Sequence, residues 1–260
     1  MKESNSLLPA ERHQRILGIL REEFTVRSSR LSELMSVSEM TIRRDLDNLE
    51  KQGLIERTHG GAVFRQERVA GKFRYSASGE KNLVEKQNIA NRAAAMIEPH
   101  DTIYIGEGVT TAYVVRYAEP GMPFTIFTNN LGVVSEMTDS AAELVLMAGT
   151  YNPGTHALEG PLTMEMIRQV NASKVFIGVD GLSLSAGLTT PNLDIAVIER
   201  SMIRHTRGLV FAMADHQKFG LVAAISIAPL KNIDVLITDR EIPREFKQDL
   251  ESMGVRVVIA

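Results

Sequence analysis

Two adjacent arginines, Arg43 and Arg44, stand in a stretch whose apolar residues Ile42, Leu46 and Leu49 recur at helical spacing. With those three turned inward, Glu39, Met40, Thr41, Arg43, Arg44, Asp47 and Asn48 fall wholly or partly on the outward face. A guanidinium can bond guanine through two parallel N–H groups or hold a phosphate, and the Thr41 hydroxyl can do either more weakly. This is the chemistry of a helix that enters the major groove of duplex DNA. The same residue types on an arbitrary helix are an ordinary solvated face, and the neighbouring elements decide between the two.

Those elements favour DNA. A first helix is expected from about Ala10 to Glu23, with Ile16, Leu17, Leu20 and Phe24 at helical spacing. A shorter second helix starts near Ser29 and places Leu31, Leu34 and Met35 on one face. Ser36-Val37-Ser38 leaves room only for a tight turn, and Ser38 can cap a third helix that runs from Glu39 to about Gln52, with Gly53 at its C-terminal cap. Leu54–Arg57 then reads as a strand, Thr58-His59-Gly60-Gly61 as a turn that uses glycine's access to positive φ, and Ala62–Phe64 as the returning strand. A helix-turn-helix followed by a β-hairpin is a winged helix, whose wing carries Arg57 and His59 toward the DNA backbone. The expected contact set is Ser38, Glu39, Met40, Thr41, Arg43, Arg44, Asn48, Arg57 and His59.

A second group of polar residues follows short apolar runs in the larger part of the chain. The runs are Thr102–Ile105, Thr125–Thr128, Leu144–Met147, Val175–Ile177, Leu209–Met213, Ala224–Ile227, Val235–Ile237 and Val255–Ile259. Helical stretches alternate with them: one marked by Ile89, Ala93 and Ile97 and ending at Pro99, then Ala112–Tyr117, Leu162–Val170 and Leu193–His205. The alternation predicts an α/β domain with a largely parallel sheet, in which ligands bind beyond the carboxyl ends of strands. The segments there are Gly106-Glu107-Gly108-Val109-Thr110-Thr111, Thr128-Asn129-Asn130, Gly178-Val179-Asp180-Gly181, Gly187–Asn192 and Ala214–Gly220. A glycine-containing turn that opens a helix offers N–H groups to an anion, and taken singly is as readily a plain tight turn. Several such ends in one sheet converge, which is the stronger signal. The domain boundaries expected are 8–64 for the winged helix-turn-helix, 65–80 for a linker and 81–260 for the α/β domain. Arg65, Arg68, Lys72 and Arg74 of the linker either touch phosphates or are simply solvated.

Val37 to Leu46, Leu49-Glu50, Gly53 and Arg57 to Ala62 together resemble the DNA-binding signature of the DeoR family of bacterial transcription regulators. Phe176–Gly181, Gly187–Asn192, Ala214–Gly220 and Ile237-Thr238-Asp239 resemble the sensor domain of the same family, so the resemblance spans most of the chain. It implies a domain related to ribose-5-phosphate isomerase and glucosamine-6-phosphate deaminase that binds phosphorylated sugars, with Lys218 on the phosphate and Asp215 on sugar hydroxyls. The expected ligand set is Gly106, Glu107, Gly108, Thr110, Thr111, Asn129, Asp180, Gly181, Asp215 and Lys218. Three places depart from the family pattern. Arg27-Ser28-Ser29-Arg30 replaces a more acidic run, Ala148-Gly149 stands for Gly-Gly, and the first loop carries Glu107 and Val109 where the family reads Asp-Ser-Gly-Thr-Thr-Thr. Glu107 repels a phosphate unless Lys218 or a cation compensates. The ligand then sets a hydroxyl or amine there, or phosphate binding shifts toward Thr110 and Thr111, or it is lost.

Composition narrows the remaining classes. The 260 residues carry no Cys, which excludes disulfides, thiolate zinc sites and a Cys nucleophile, and suits a reducing cytoplasm. The six histidines lack metal-ligand spacing, and neither a Walker-type loop nor a dinucleotide fingerprint is present. No cofactor or metal is expected, and no membrane segment: the N-terminal stretch has no signal-like apolar region, and no apolar run reaches spanning length. The net charge of −3 conceals an asymmetry, +3 over residues 1–74 and −6 over the rest. The resulting expectation is a cytoplasmic, homo-oligomeric regulator of carbohydrate-utilisation genes, most simply a repressor, with a double-stranded DNA operator and a phosphorylated sugar as partners. The alternative is a sugar-phosphate isomerase or deaminase with an accessory DNA-binding domain, using Glu107 or Asp180 as base with help from His156 or His216.

Overall fold

The computed structural model describes residues 9–23, 25–51, 54–58, 60–64, 82–137 and 140–260. The chain divides into two compact units, Met1–Glu67 with Pro243–Asp249, and Arg68–Ile242 with Leu250–Ala260. The expected linker and its four basic residues lie outside the described residues, as do Phe24, Gly53 and His59.

In the first unit, helices α1 (Pro9–Glu23), α2 (Ser28–Met35) and α3 (Glu39–Lys51) and strands β1 (Thr25–Arg27), β2 (Ile55–Arg57) and β3 (Gly61–Phe64) enclose one small core. Ile16, Leu17 and Leu20 of α1 meet Leu31 and Met35 of α2 and the Ile42, Leu46, Leu49 stripe of α3 there. Leu34 is a correction: it is 47% exposed, because two-turn α2 buries only the narrow ridge through Leu31 and Met35. β1 was not expected, since three residues between helices are too short for an alternating pattern to register. It pairs antiparallel with β3, giving the order β1-β3-β2, and so lends a third strand to a hairpin that alone is marginal. Gly61 serves this pairing through close approach, not through positive φ: a Cβ there would lie 2.0 Å from the Val26 carbonyl oxygen.

The second unit is built on seven strands: β4 (Thr102–Ile105), β5 (Thr125–Thr128), β6 (Glu143–Leu146), β9 (Ala172–Gly178), β12 (Thr206–Met213), β14 (Val235–Thr238) and β15 (Arg256–Ile259). Their order is β15-β14-β12-β9-β4-β5-β6, and every adjacent pair is parallel. Ile103, Ile105, Phe176, Phe211, Met213, Val235 and Ile237 are buried in these strands, as expected of a parallel sheet covered on both faces. The intervening elements are α4 (Leu83–Ala94), α5 (Val109–Ala112), α6 (Gly132–Glu136), a β7–β8 hairpin (Thr150–Asn152, Ala157–Glu159), α7 (Pro161–Arg168), β10 (Gly181–Ser183), β11 (Gly187–Thr190), α8 (Leu193–Arg204) and β13 (Ile225–Ala228). Helix α9 (Arg244–Ser252) precedes the last strand. Two expectations need correcting. The run at Ala224–Ile227 is β13, which pairs antiparallel with β11 in a separate sheet of order β10-β11-β13. The helix expected to reach Pro99 ends at Ala94, although Ile97 still enters the core.

Chain order places the functional crevice. From β4 the chain moves outward through β5 and β6, then returns to β9 on the other side of β4 and moves outward again through β12. The carboxyl ends of β4 and β9 therefore flank a topological switch point, where the crossover connections diverge and leave an opening.

Candidate DNA-reading face and ligand cleft

The outward residues of α3 are where helical spacing puts them. Glu39, Met40, Arg43, Arg44, Asp47 and Asn48 are exposed, and Met40 is 61% exposed. The Ser38 Oγ accepts the Thr41 N–H at 3.2 Å, the expected N-cap, and also lies 2.9 Å from the Thr41 hydroxyl. Ser38 and Thr41 thus bond each other before any partner arrives. Arg43 is 3.8 Å from Glu39, a loose exposed pair, whereas the Arg44 side chain has no hydrogen bond or ion pair among the described residues. Arg57, expected to reach the DNA backbone, also has partners within the unit. Its N–H donates to Glu50 Oε1 at 3.0 Å, and its guanidinium sits 3.4 Å from the Arg43 carbonyl and 3.6 Å from Asp47, so it braces α3.

α3 is held from beneath by a group that the outward pattern did not reveal. Asp45 is buried, accepts Arg12 Nε at 2.5 Å and Nη2 at 3.0 Å, and lies 3.0 Å from His13 Nε2. The Asp45 hydrogen bond leads the causes that raise the Arg12 pKa, against burial. This pairing ties the arginine-bearing helix to α1.

In the second unit a cleft lies at the switch point. Glu107, Gly108, Val109, Thr110 and Thr111 line it from the loop and turn after β4, Gly178, Val179 and Asp180 from the end of β9, and Ala214, Asp215 and Lys218 from the segment after β12. Of the expected ligand set, Glu107, Gly108, Thr110, Thr111, Asp180, Asp215 and Lys218 therefore converge. Gly106, Asn129 and Gly181 are not among the lining residues. Gly106 makes room, since a Cβ there would lie 3.0 Å from Glu199 Oε1. Asn129 is fully buried and acts through Glu107, donating from Nδ2 to Glu107 Oε1 at 2.8 Å and to the Leu158 carbonyl at 3.0 Å. Gly181 lets β10 approach its neighbours, because a Cβ would stand 2.5 Å from the Leu221 carbonyl oxygen.

The hydroxyls of the first loop divide in role. Thr111 is buried and its hydroxyl lies 2.9 and 3.0 Å from the carbonyls of Gly106 and Gly108, so it holds the loop. Asn130 Nδ2 donates to the same two carbonyls at 3.1 and 2.9 Å. Gly108, at φ +118°, adopts a conformation that L side chains rarely take. Thr110 is half-buried and its hydroxyl has no hydrogen bond among the described residues. Asp215 caps the 3₁₀ turn His216–Lys218 by accepting the Gln217 N–H at 3.0 Å, which sets the backbone on which Lys218 reaches the cleft. Lys218 is half-buried and makes no ion pair among the described residues.

Two charged lining residues were missed. Lys86 comes from α4 and Glu199 from α8. Each sits inside an apolar helical stripe, Lys86 with Ile89, Ala90 and Ala93, Glu199 with Ile195, Ile198 and Met202. Asp45 sits likewise among Ile42, Leu46 and Leu49. A charge in a buried stripe is costly without a purpose, and that signal was available in the residue pattern. Glu107 is pushed up to about 8, chiefly by burial, with Glu159, Asp194 and Asp180 adding to the rise and the Asn129 hydrogen bond opposing it. Burial also raises Glu199 well above the usual carboxyl range, with Glu107 and Asp180 contributing.

Known proteins agree with this division. A family model described as DeoR-like helix-turn-helix domain matches residues 12–68, and one described as DeoR C terminal sensor domain matches residues 81–240. HTH-type transcriptional regulator GlpR of Haloferax volcanii is 34% identical over 252 residues, covering 97% of this chain and 98% of the relative. HTH-type transcriptional regulator GolR of Listeria innocua is 30% identical over 256 residues, covering 98% and 100%. Transcriptional repressor AccR of Agrobacterium fabrum is 31% identical over 231 residues, covering 88% and 89%. Among solved structures, ribose 5-phosphate isomerase A from Methanocaldococcus jannaschii gives a TM-score of 0.40 at 14% identity over 54% of this chain and 55% of that one, too slight a likeness to argue from.

Proposed function

We propose, from the premise that this chain belongs to the DeoR family of transcription regulators, that it is a cytoplasmic repressor of carbohydrate-utilisation genes whose hold on an operator is set by a phosphorylated sugar. Arg43 and Arg44 of α3 read base edges or phosphates in the major groove, with Met40 and Asn48 beside them. Lys218 takes the phosphate and Thr110 offers it a hydroxyl, while Asp180 and Asp215 accept from sugar hydroxyls. Because one short helix reads few base pairs, the working form is a homo-oligomer that presents two such helices to paired half-sites. The sugar acts by binding the DNA-bound and DNA-free arrangements with different affinity, the only way a ligand can shift such an equilibrium.

The observation that carries this reading is an outward arginine face and a switch-point cleft containing Lys218 in one chain. Electrophoretic shifts on the gene's own upstream DNA, challenged with scrambled competitor, test the first half. A sequence-selective shift is expected, and equal competition by both DNAs contradicts it. The cleft is read as a sensor and not a catalyst, so candidate sugar phosphates incubated with the protein should be recovered unchanged.

A further inference from the structure

Glu107 and Glu199 reach the cleft from different elements, the loop after β4 and helix α8. Their exposures are 4% and 1%, and each has one carboxyl oxygen, Oε2, buried without a hydrogen-bond partner among the described residues. An unmade hydrogen bond on a buried polar atom costs roughly 1–3 kcal/mol, more when the group is charged. Two such atoms on two elements of one cleft are a site prepared for a donor that the described residues do not supply. Gly106 lets the Glu199 carboxyl pack against the loop after β4, and Asn129, fixed through Leu158, orients Glu107 from behind.

Resting on the ligand reading above, we propose that the sugar phosphate taken by this cleft carries a cationic amine, held between the carboxyls of Glu107 and Glu199. The chemistry favours an ammonium over the other donors. A hydroxyl has one proton to give and lone pairs of its own to satisfy, whereas an ammonium has three protons and a charge, enough for both carboxyls. A phosphate is repelled there, because Asp180, Glu159 and Asp194 add their fields to the pair. A metal ion is disfavoured as well, since the described residues contain no group of three or more His, Cys, Asp or Glu able to hold one. The phosphate goes instead to Lys218, as read above.

Amine binding has a proton signature. The charged groups around Glu107 are Glu199 and Asp194 of α8, Asp180 after β9, Glu159 of β8, Lys86 of α4, and Asp215 and Lys218 after β12. With its pKa at about 8, Glu107 holds its proton at neutral pH in the free protein. Burial favours the protonated form of Glu199 as well, and an ammonium between the two favours the carboxylates, so binding releases protons to solvent.

The test uses the full chain and three pairs of hexose 6-phosphates, gluco, galacto and manno, each as the 2-amino-2-deoxy compound and its 2-hydroxy counterpart. Calorimetric titrations at neutral pH are run in two buffers of different ionisation enthalpy. In at least one pair the amino compound should bind about tenfold to a hundredfold tighter. It should release protons on binding, which its hydroxy counterpart should not, and its N-acetyl derivative should lose the advantage. Glu107→Gln, or Glu199→Gln if the first does not fold, should abolish the amino preference, so that the amino and hydroxy compounds of a pair bind with equal affinity. Hydroxy compounds that bind as tightly as their amino partners in all three pairs overturn the inference and leave the sugar-phosphate reading standing. An amino preference that survives both substitutions also overturns it. If no compound of either kind binds, the ligand reading and this inference fall together.

Discussion

The two candidate sites treat their charges in opposite ways. On α3 the arginines stand in water and cost the fold little, so in the proposed reading DNA would add contacts to a face that is already formed. In the cleft the carboxyls of Glu107 and Glu199 are withdrawn from water, and two of their oxygens have no hydrogen-bond partner among the described residues. There a ligand relieves a penalty that the free protein carries, which gives it leverage over the stability of the domain. A surface built this way suits reading a long partner, and a cleft built this way suits sensing a small one.

The comparison breaks most readily at the anchor of the reading helix. Asp45→Ala should cost the first unit about 3–5 kcal/mol, because Arg12 is left buried without its carboxylate. DNA binding should vanish while sugar-phosphate-induced thermal stabilisation persists. Unfolding curves that match the unmodified chain would show that Asp45 anchors nothing. Next in size is Lys218→Ala, expected to weaken phosphate-bearing ligands by about 1.5–3 kcal/mol and leave operator affinity unchanged. A variant that remains fully responsive removes Lys218 from the site.

Glu107→Gln sharpens the contrast through pH. The unfolded Glu107 ionises near its ordinary 4.5, but the folded group holds its proton up to about 8, so the folded state binds more protons between those values. Stability therefore falls as pH rises through that window and levels off above about 8. The Gln variant lacks this dependence and should be the more stable by roughly 3–5 kcal/mol at pH 9, with little difference near pH 4. Denaturant midpoints across pH measure it, and parallel profiles for the two proteins contradict it. On the reading face, Arg44→Ala should weaken specific DNA binding by about 1–3 kcal/mol if the side chain reads a base. Arg57→Ala should cost less than about 1 kcal/mol, since it braces the helix through partly exposed contacts. An Arg57 effect larger than that of Arg44 reverses the assignment.

What the residue pattern revealed follows the same divide. The inward stripe of α3 repeats every three to four residues, so its complement named the exposed face that the structure shows. Short apolar runs likewise marked the seven parallel strands, and their polar ends marked most of the cleft. β1 escaped because a three-residue strand has no period of its own and exists through pairing with β3. Lys86 and Glu199 stand out as charges in apolar helical stripes, but their place in the cleft was not legible, because only tertiary packing joins helices so far apart in sequence to Glu107. Asn129 and Gly181 were named for standing at strand ends, yet one acts from behind the wall and the other serves strand packing.

The most direct test of the regulator reading is the affinity for upstream DNA, measured by fluorescence anisotropy with and without a saturating sugar phosphate, for the unmodified chain and for Lys218→Ala side by side. A shift of about 5–150-fold is predicted for the unmodified chain, and none for the variant. Identical DNA affinities with and without every sugar phosphate that binds the unmodified chain would contradict it.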